Sequence, residues 1–404
     1  MPERPEGCFA QMVPVPFFPA GGWRLREAKP QSVRVPLCLA SATQLHTDYP
    51  WSLFPPRMTQ NLPQLRLGSL PIDFPVVLAP LSGYSDWPAR VIARRLGAPY
   101  TVCEVLLDQF VLNVTKGRKA KRFIRVTDED HPAGAQLMGS SPEEFGPAAL
   151  KLVEAGFNCV DLNFACPVKK VLGKCRGGYL LGRPETALEI VARVRDALPP
   201  EIPVTVKMRR GMDESRESRE KFFAILEGSF ALGAAAVTVH GRTVRQRYEG
   251  RSSWEFLGEA KSRAGERTVL GSGDLFTAQD CLDMIAQTGV NGVSVARGAI
   301  GNPWIFREVR ALAAARPLPA PPTLFEQRET IAEHFRLAEE LYGPRRCCTV
   351  MRKHGIKYSR LHPKAEQVRD AFVAVGNPDA WREVLARWYA DDLPGRHPPG
   401  PSHH

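Results

Sequence analysis

The feature that most constrains the fold of this chain is a regular alternation of short apolar runs with longer helical stretches, between about residues 67 and 315. Eight runs rich in β-branched residues are predicted as strands: Val76–Ala79, Thr101–Val105, Gly134–Met138, Cys159–Asn163, Val204–Met208, Ala236–His240, Thr268–Gly271 and Gly292–Ala296. Their near-continuous apolar character is typical of strands buried on both faces. Eight strand–helix units in roughly 250 residues match a TIM (β/α)8 barrel, an α/β fold. The alternative, a doubly wound open sheet, lacks its glycine fingerprint after the first strand.

Residues at the ends of the helical stretches support this alternation. Ser141, Pro142 and Glu144 predict a helix N-terminus with a capping box. Gly156 predicts the end of the same helix. The barrel is therefore predicted over residues 67–316.

The segments on either side of the barrel differ from it in composition. Residues 1–66 are rich in Pro and Gly without a steady period, and we expect a disordered or misannotated extension in which Met58 is an alternative start. The proline-rich stretch 317–322 predicts a stiff linker. A helical domain is predicted over residues 323–392, followed by a disordered tail over residues 393–404.

Within the predicted helical domain, apolar residues recur at helical spacing in two stretches, Leu324–Tyr342 and Glu366–Tyr389. Between them lies a basic segment that runs from Arg345 to Arg360 and includes Arg352 and Lys353. Such a segment is a candidate for contact with an anionic partner.

Charge and cysteine content limit the class of protein. The net charge of +11 raises the chance of a polyanionic partner without proving one. The nine cysteines form no CxxC pair, which gives no support for a zinc or iron–sulfur site, and we expect no metal. This cysteine usage fits a reducing cytoplasm. No apolar run approaches the roughly 18 residues that a membrane span needs.

The most reactive side chain in the sequence follows the fourth predicted strand. Asn163 ends that strand, Cys166 begins the loop after it, and Pro167 restricts the loop backbone. Lys169 and Lys170 stand close by, where they could attract a phosphate backbone and would favour a thiolate. The alternative is that Cys166 is a small buried hydrophobic residue, but its basic loop favours a chemical role.

Two polar side chains lie on strands that are otherwise apolar. Lys207 ends the fifth predicted strand, and a buried lysine is unfavourable unless it meets an anion. That anion could be the ring of a reduced flavin, or a carboxylate in a structural ion pair. Gln136 ends the third strand, where its amide could contact a heterocycle or a loop backbone.

Small and cationic residues follow the first and the last three predicted strands. They are Pro80, Leu81, Ser82 and Gly83 after the first strand, His240 and Arg242 at the sixth, Ser272, Gly273 and Asp274 at the seventh, and Ala296, Arg297 and Gly298 at the eighth. Small residues after strands seven and eight form the usual phosphate-binding site of this barrel.

Taken in order, these motifs resemble the tRNA-dihydrouridine synthase family. The segments are APLSG, QLMGS, DLNFACPVKKV, VTVKMRRG, HGRT, GSGD and ARGAIGNPWIF. The resemblance covers about Leu67 to Tyr389, and its most specific element is the stretch from Asn163 to Val171. It is nearest to the bacterial B-type branch, which favours position 17 of the tRNA as the target.

The resemblance implies FMN as the bound cofactor, NADPH as reductant, and reduction of the C5–C6 double bond of a uridine in the tRNA D-loop. Cys166 would protonate C5, because a thiol of ordinary pKa, ~8.5, is mostly protonated at neutral pH. The implied cofactor contacts are Pro80, Leu81, Ser82, Gln136, Lys207, His240, Ser272, Gly273, Asp274, Ala296 and Arg297. The implied tRNA contacts are Asn163, Lys169, Lys170, Arg242, Arg352 and Lys353. The family also implies a monomer.

Three residues depart from the family pattern. The family usually has Met where Leu81 stands, Gly where Ala165 stands and Asn where Ser272 stands, and Ser272 would shorten a polar contact to the cofactor. Two other functions stay open. One is a flavin enzyme of a free pyrimidine, which turnover of uracil or orotate without tRNA would favour. The other is a non-catalytic RNA-binding protein, which the absence of flavin in the purified protein would favour.

Overall fold

The computed structural model describes residues 62, 64–114 and 122–398 of the chain. The predicted extension before residue 62 and the alternative start at Met58 lie outside the described residues, as does the end of the tail, 399–404. Within the described part, no helix is both long and apolar enough to cross a membrane.

The centre of the molecule is a closed parallel barrel. Its strands are β3 (Val76–Leu78), β4 (Thr101–Val102), β5 (Leu106–Leu107), β6 (Ala133–Met138), β7 (Cys159–Phe164), β8 (Val204–Arg209), β9 (Ala236–His240), β10 (Val269–Ser272) and β11 (Gly292–Val295). The circle closes because β3 pairs with β11 on one side and with β4 on the other. β4 and β5 both pair with β6, so they are two parts of the second barrel strand. The predicted TIM barrel is confirmed.

The second strand is the one whose predicted bounds, 101–105, are wrong. Pairing is interrupted between Val102 and Leu106. At this interruption, Glu104 turns its carboxylate to accept a hydrogen bond from the backbone N–H of Gly83, in the loop after β3. The other seven strands lie within one residue of their predicted ends at both termini.

A ring of helices covers the barrel. The bounds are Trp87–Arg95, Asp108–Asn113, Pro142–Glu154, Lys169–Leu172, Pro184–Ala197, Arg216–Ala231, Trp254–Ala264, Ala278–Thr288 and Ile305–Ala313. The core between strands and helices consists of fully buried side chains such as Phe145, Val160 and Met208. The helix predicted after Ser141 begins at Pro142 and ends before Gly156, but the side chain of Ser141 makes no capping hydrogen bond, so the predicted capping box is wrong.

A short hairpin, β1 (Leu65–Leu67) and β2 (Leu70–Ile72), precedes the barrel. Leu65, Leu67 and Ile72 pack against residues at the N-terminal ends of barrel strands, including Val77 and Cys159. The hairpin therefore closes the end opposite the carboxyl ends of the strands.

The C-terminal region is a separate helical layer, as predicted. Its helices are Leu324–Tyr342, Pro344–Tyr358, Ala365–Ala374 and Pro378–Trp388. Trp381, Met351 and Phe372 form its core. The predicted helix 366–389 is in fact two helices, because Asn377 caps a new helix whose first residue is Pro378. The basic segment between the predicted helices is itself helical over Pro344–Tyr358.

The tail is ordered further than predicted. The backbone N–H of Leu324 donates to the carbonyl of Leu393, and that of Arg396 donates to the carbonyl of Leu361, at 2.9 Å each. His397 lies 3.5 Å from the buried Glu308. The predicted disorder is therefore wrong for residues 393–398.

Candidate active site at the barrel mouth

Polar side chains from adjacent strands form a connected network inside the barrel. Strand register places Gln136 beside Asp161. The Gln136 amide donates to Asp161 Oδ2 at 2.7 Å, and the Asn163 amide donates to Gln136 Oε1 at 2.8 Å. Thr205 donates to the other oxygen of Asp161 at 2.7 Å. We call Gln136, Asp161, Asn163, Thr205 and Lys207 the mouth cluster.

Lys207 is the member of this cluster whose polar atom makes no hydrogen bond within the described part of the chain. Strand register sets it between Asn163 of β7 and Thr238 of β9. Its Nζ is buried and has no hydrogen-bond partner among the described residues. Burial lowers the pKa of Lys207 to about 8, although the charge of Asp161 raises it. Burial raises the pKa of Asp161 to about 6. An anionic ligand would supply the hydrogen-bond acceptor that Lys207 lacks.

The loop that carries Cys166 is held at both ends by the barrel. Asn163 Oδ1 accepts hydrogen bonds from the backbone N–H groups of Ala165 and Cys166, at 3.0 Å each. The carbonyl of Cys166 accepts from the backbone N–H of Gly178 at 3.1 Å. A Cβ at Gly177, whose φ is +59°, would lie 2.8 Å from the Cβ of Cys166, so this close approach requires glycine.

Arg209, which the sequence did not single out, fixes the same loop from the other side. It lies two residues after Lys207 on β8 and is 3% exposed. Its guanidinium donates to the carbonyls of Ala165 at 3.1 Å, Thr243 at 2.8 Å and Arg247 at 2.6 Å. Burial lowers its pKa to about 10, so it stays cationic at neutral pH.

The Cys166 thiol is held in its protonated form. Burial raises its pKa, and this effect exceeds the lowering by a backbone hydrogen bond from Val168 and by the charge of Arg209. Lys169 and Lys170 are exposed on the short helix that follows. The sequence suggested that they would favour a thiolate, but neither is among the groups that shift this pKa. A neutral thiol is a proton donor, which is the form that an acid catalyst needs.

His240 ends β9 and faces the same interior as Lys207. Its Nδ1 accepts a hydrogen bond from the backbone N–H of Arg242 at 3.1 Å. Burial and the nearby cations Arg209 and Lys207 lower the pKa of His240 well below its usual value. His240 is therefore neutral at physiological pH.

The turn after β10 forms a cradle of backbone and charge. Gly273 has φ +119°, and a Cβ there would overlap Ser252 Oγ. Asp274 accepts from Arg242 at 2.8 Å, from Arg297 at 3.2 Å and from the backbone N–H of Ser252 at 2.8 Å. Nη1 of Arg242 is buried without a partner among the described residues. This cradle presents cationic donors to an anion.

Two residues predicted to contact tRNA have buried side chains with hydrogen-bond partners inside the protein. Arg242 is 3% exposed and donates to Asp274 and to the carbonyls of Glu249 and Gly250, so its side chain faces the cradle and not the protein surface. Asn163 is 8% exposed; its amide nitrogen donates to Gln136, and its amide oxygen accepts from the backbone of the Cys166 loop. Their direct contact with tRNA stays a prediction; within the protein, Asn163 holds the Cys166 loop and Arg242 holds Asp274.

Ser272, which is predicted to contact the cofactor, also makes hydrogen bonds within the barrel. Its hydroxyl donates to the carbonyl of Ser294 at 3.1 Å, which connects β10 to β11. Its own carbonyl accepts from the backbone N–H of Gly241 at 3.2 Å. The Ser272 side chain thus braces the strands beneath the cradle. Ala296, which follows β11, caps a short turn that carries Arg297 into the cradle.

The segment after β3 lies between the barrel and the helical domain. Pro80 and Leu81 are half-buried, Ser82 is exposed, and Leu81 is tied to Ser85 through both backbone and side-chain hydrogen bonds. The Lys353 ammonium reaches this segment, 5.0 Å from the centre of the Tyr84 ring. Arg352 is exposed on the same helix, Pro344–Tyr358.

The family model described as "Dihydrouridine synthase (Dus)" matches residues 77–388. A probable tRNA-dihydrouridine synthase of Mycobacterium tuberculosis is 33% identical over 82% of this chain and 86% of its own length. The tRNA-dihydrouridine synthase B of Xanthomonas axonopodis pv. citri is 31% identical over 83% of this chain and 98% of its own length.

A solved structure shows the same architecture at low sequence identity. A 2-naphthoyl-CoA reductase superposes with a TM-score of 0.51 and 11% identity, over 64% of this chain and 53% of that chain. This likeness concerns the barrel fold alone. Because the family model and both relatives match most of its length, this chain belongs to the dihydrouridine synthase family of oxidoreductases.

Proposed function

We propose that this protein reduces the C5–C6 double bond of a uridine in the D-loop of tRNA, with FMN as bound flavin and NADPH as reductant. The observation that carries the proposal is the arrangement of a protonated Cys166 thiol above a barrel interior whose buried Lys207 ammonium has no hydrogen-bond partner among the described residues. Relatives over most of the chain length bear the name tRNA-dihydrouridine synthase.

The residues present fit a flavin mononucleotide. Lys207 and the neutral His240 would face the isoalloxazine, where Nζ of Lys207 would donate to its electron-rich edge. The phosphate would meet the cradle of Gly273, Arg242 and Arg297, in which Arg242 has a donor to spare. The bound cofactor would supply a hydride to C6 of the uracil ring.

The protein's own contribution to the reaction is a positioned proton. Cys166 Sγ would deliver it to C5, and the Asn163 and Arg209 hydrogen bonds hold the loop in place while it does so. Because burial keeps the thiol protonated, the acid is ready at neutral pH. Within the mouth cluster, the amide oxygens of Gln136 and Asn163 both accept hydrogen bonds, which fixes the orientation of the two amides.

Binding of tRNA would use the exposed lysines and the helical domain. Lys169 and Lys170 flank the Cys166 loop, and Arg352 is exposed on the helix whose Lys353 reaches the loop after β3. Phosphate contacts of this kind give affinity that depends steeply on salt. The target base must leave its stack to reach the barrel interior.

The experiment is mass spectrometry of nucleosides from tRNA of a strain that lacks this gene, with and without a plasmid copy. Loss of dihydrouridine at one D-loop position, restored by the wild type and not by Cys166→Ala, is the expected result. Position 17 is the expected site. Unchanged dihydrouridine, together with turnover of free uracil or orotate by the purified protein, would contradict the proposal.

The tRNA contacts are tested separately by the salt dependence of binding. Replacing Lys169 and Lys170 by Ala should lower the slope of log affinity against log salt by up to about 2, since each phosphate contact adds ~0.9 to that slope. Replacing Arg216 and Lys221, exposed charges on a barrel helix that make local ion pairs with Glu220 and Glu217, serves as the matched control. A slope that both double variants leave at the wild-type value would place the tRNA on another surface.

A further inference from the structure

A second buried polar cluster lies where the helical domain packs on the barrel. Asp86 caps the barrel helix Trp87–Arg95. His334 lies on the helix Leu324–Tyr342 and His354 on the helix Pro344–Tyr358. One ligand atom from each of these three residues lies within 4.8 Å of the others. We call Asp86, His334 and His354 the junction cluster.

Both imidazoles are buried, neutral and incompletely partnered. His334 is 1% exposed and His354 is 3% exposed. Burial lowers the pKa of His334 to about 4 and that of His354 well below its usual value. Nε2 of each ring has no hydrogen-bond partner among the described residues. Buried ring nitrogens without a partner are unusual in a protein interior, and since these three residues offer ligand atoms within 4.8 Å of one another, they indicate a ligand shared by the cluster.

The surrounding hydroxyls orient this cluster as outer-shell groups orient metal ligands. Tyr342 donates to Asp86 Oδ2 at 2.6 Å. The hydroxyl of Tyr358 lies 3.0 Å from Nδ1 of His334. A metal at Nε2 of His334 requires the tautomer in which Nδ1 carries the hydrogen and donates to Tyr358, and hydrogen bonds of this kind fix the ring and raise its basicity.

Space and charge around the cluster suit a small cation. A cavity bounded by Leu81, Tyr84, His334, His354 and Tyr358 adjoins it and leaves room for a water ligand. The cavity is too small for an organic molecule, at about 30 Å³.

Two further charges lie near the junction cluster. Burial raises the pKa of Glu104. The charge of Asp86 raises it further and the charge of Lys353 lowers it, so these three groups lie close together. The Glu104 carboxylate therefore offsets the Lys353 ammonium, which would otherwise oppose a bound cation.

We propose that Asp86, His334 and His354 bind one divalent transition metal ion, and that Zn²⁺ fits the site best. Two neutral imidazoles, one carboxylate and a water are a common zinc donor set. Tetrahedral zinc needs ligand atoms roughly 3.3 Å apart, so small side-chain rotations would complete the site. The ion would tie the helical domain to the barrel next to Leu81, independently of the proposed reaction.

The test is metal loading of the full-length protein. After treatment with a chelator, the protein is given Zn²⁺, passed through a desalting column, and measured for bound zinc and for Tm. One retained Zn²⁺ per chain and a higher Tm are expected, because a ligand that binds the folded state alone stabilises it. No retained zinc and an unchanged Tm would overturn the proposal and leave a buried water as the partner of the two nitrogens.

Variants locate the ion. Asp86→Asn keeps a good capping residue but removes the anionic ligand, and should weaken zinc binding at least about 10-fold, as should His354→Gln. His362→Gln is the matched control: His362 is also 3% exposed, but both of its ring nitrogens are partnered, by the carbonyl of Trp388 and the backbone N–H of Lys364. Equal retention in all three variants would overturn the proposal.

Adventitious binding by the free cysteines is distinguished with Co²⁺ in the wild-type protein, which does not depend on whether a variant folds. The donor set Asp, His, His predicts a tetrahedral cobalt spectrum without sulfur-to-cobalt charge transfer. Charge-transfer bands would assign the ion to cysteine and contradict the proposal.

Discussion

The mouth cluster and the junction cluster are both buried and polar, yet they leave different atoms unpartnered. In the mouth cluster, adjacent strands bring Gln136, Asp161 and Asn163 together and these side chains satisfy one another, which leaves the Lys207 ammonium. In the junction cluster, residues from three helices meet and two neutral imidazole nitrogens remain. The polar atom that lacks a hydrogen-bond partner therefore indicates the charge of the missing ligand. A cationic donor such as the Lys207 ammonium suits an anion, whereas neutral imidazole nitrogens suit a cation or water.

The largest effect should come from the acid above the mouth cluster. Cys166→Ala should slow reduction of tRNA uridine by about 100- to 10,000-fold, the usual contribution of a general acid, while flavin content is unchanged. Single-turnover oxidation of reduced enzyme by tRNA measures this. Cys175→Ser is the control, since Cys175 is a half-exposed thiol of the neighbouring loop. An equal loss in the control would mean that the loop as a whole, and not the thiol, was damaged.

Lys207→Met breaks the mouth cluster at its unpartnered atom. The flavin dissociation constant should rise by about 10- to 100-fold, because a hydrogen bond to a charged group contributes about 1.5–3 kcal/mol. The flavin-free protein should be no less stable than the wild type, since the variant removes a buried charge that lacks a hydrogen-bond partner in the described part of the chain. Titration of FMN and denaturant unfolding measure the two quantities. A destabilised flavin-free variant would instead mean that Lys207 serves chiefly as the ion-pair partner of Asp161.

The affinity for flavin should depend on pH through the charge of Lys207. The Lys207 ammonium is charged below its pKa of about 8 and neutral above it, whereas burial raises the pKa of the Cys166 thiol above its ordinary value. Flavin affinity should therefore fall as pH rises through about 8, and Lys207→Arg should move this fall to higher pH. Titrations of FMN across pH check it; a fall that Lys207→Arg leaves in place would point to another group.

The stability of the flavin-free protein should change in the opposite direction. The folded-state pKa of Lys207 lies below its unfolded value of 10.5. The unfolded chain therefore binds more protons between about pH 8 and 10, and the contribution of Lys207 to the free energy of unfolding rises with pH over that window.

The smallest expected effect belongs to the junction cluster. Tyr358→Phe removes the hydroxyl that faces Nδ1 of His334, and should lower the free energy of unfolding by about 1–2 kcal/mol. Flavin affinity should stay at the wild-type value, because the hydroxyl contacts no residue of the mouth cluster within the described chain. Denaturant unfolding and FMN titration on the same samples give both quantities. A parallel loss of flavin affinity would show that the two clusters are coupled through the segment after β3.

The barrel could be predicted because its strands are buried on both faces, which gives apolar runs that few other folds produce. The prediction failed at Thr101–Val105, where Glu104 leaves the ladder to bind the Gly83 amide, a contact that depends on a loop distant in sequence. The prediction of a single helix over 366–389 failed for a local reason, because Asn377 and Pro378 begin a second helix.

The sequence allowed a prediction of which residues lie at the barrel mouth, but less of what each side chain contacts. Cys166 and Lys207 follow from strand ends alone. The resemblance implies that Asn163 and Arg242 contact the tRNA; in the structure the Asn163 amide donates to Gln136 and the Arg242 guanidinium donates to Asp274. The junction cluster gave no signal, because Asp86 lies far in sequence from His334 and His354 and no ligand spacing links them.

Arg209 has a consequence for protein engineering. Its single guanidinium is bonded to two loops that follow different strands, through Ala165 on one and through Thr243 and Arg247 on the other. The positions of the two loops are therefore coupled. A graft that moves the Cys166 loop into another barrel without Arg209 and the 243–247 loop would transfer the thiol but not its orientation.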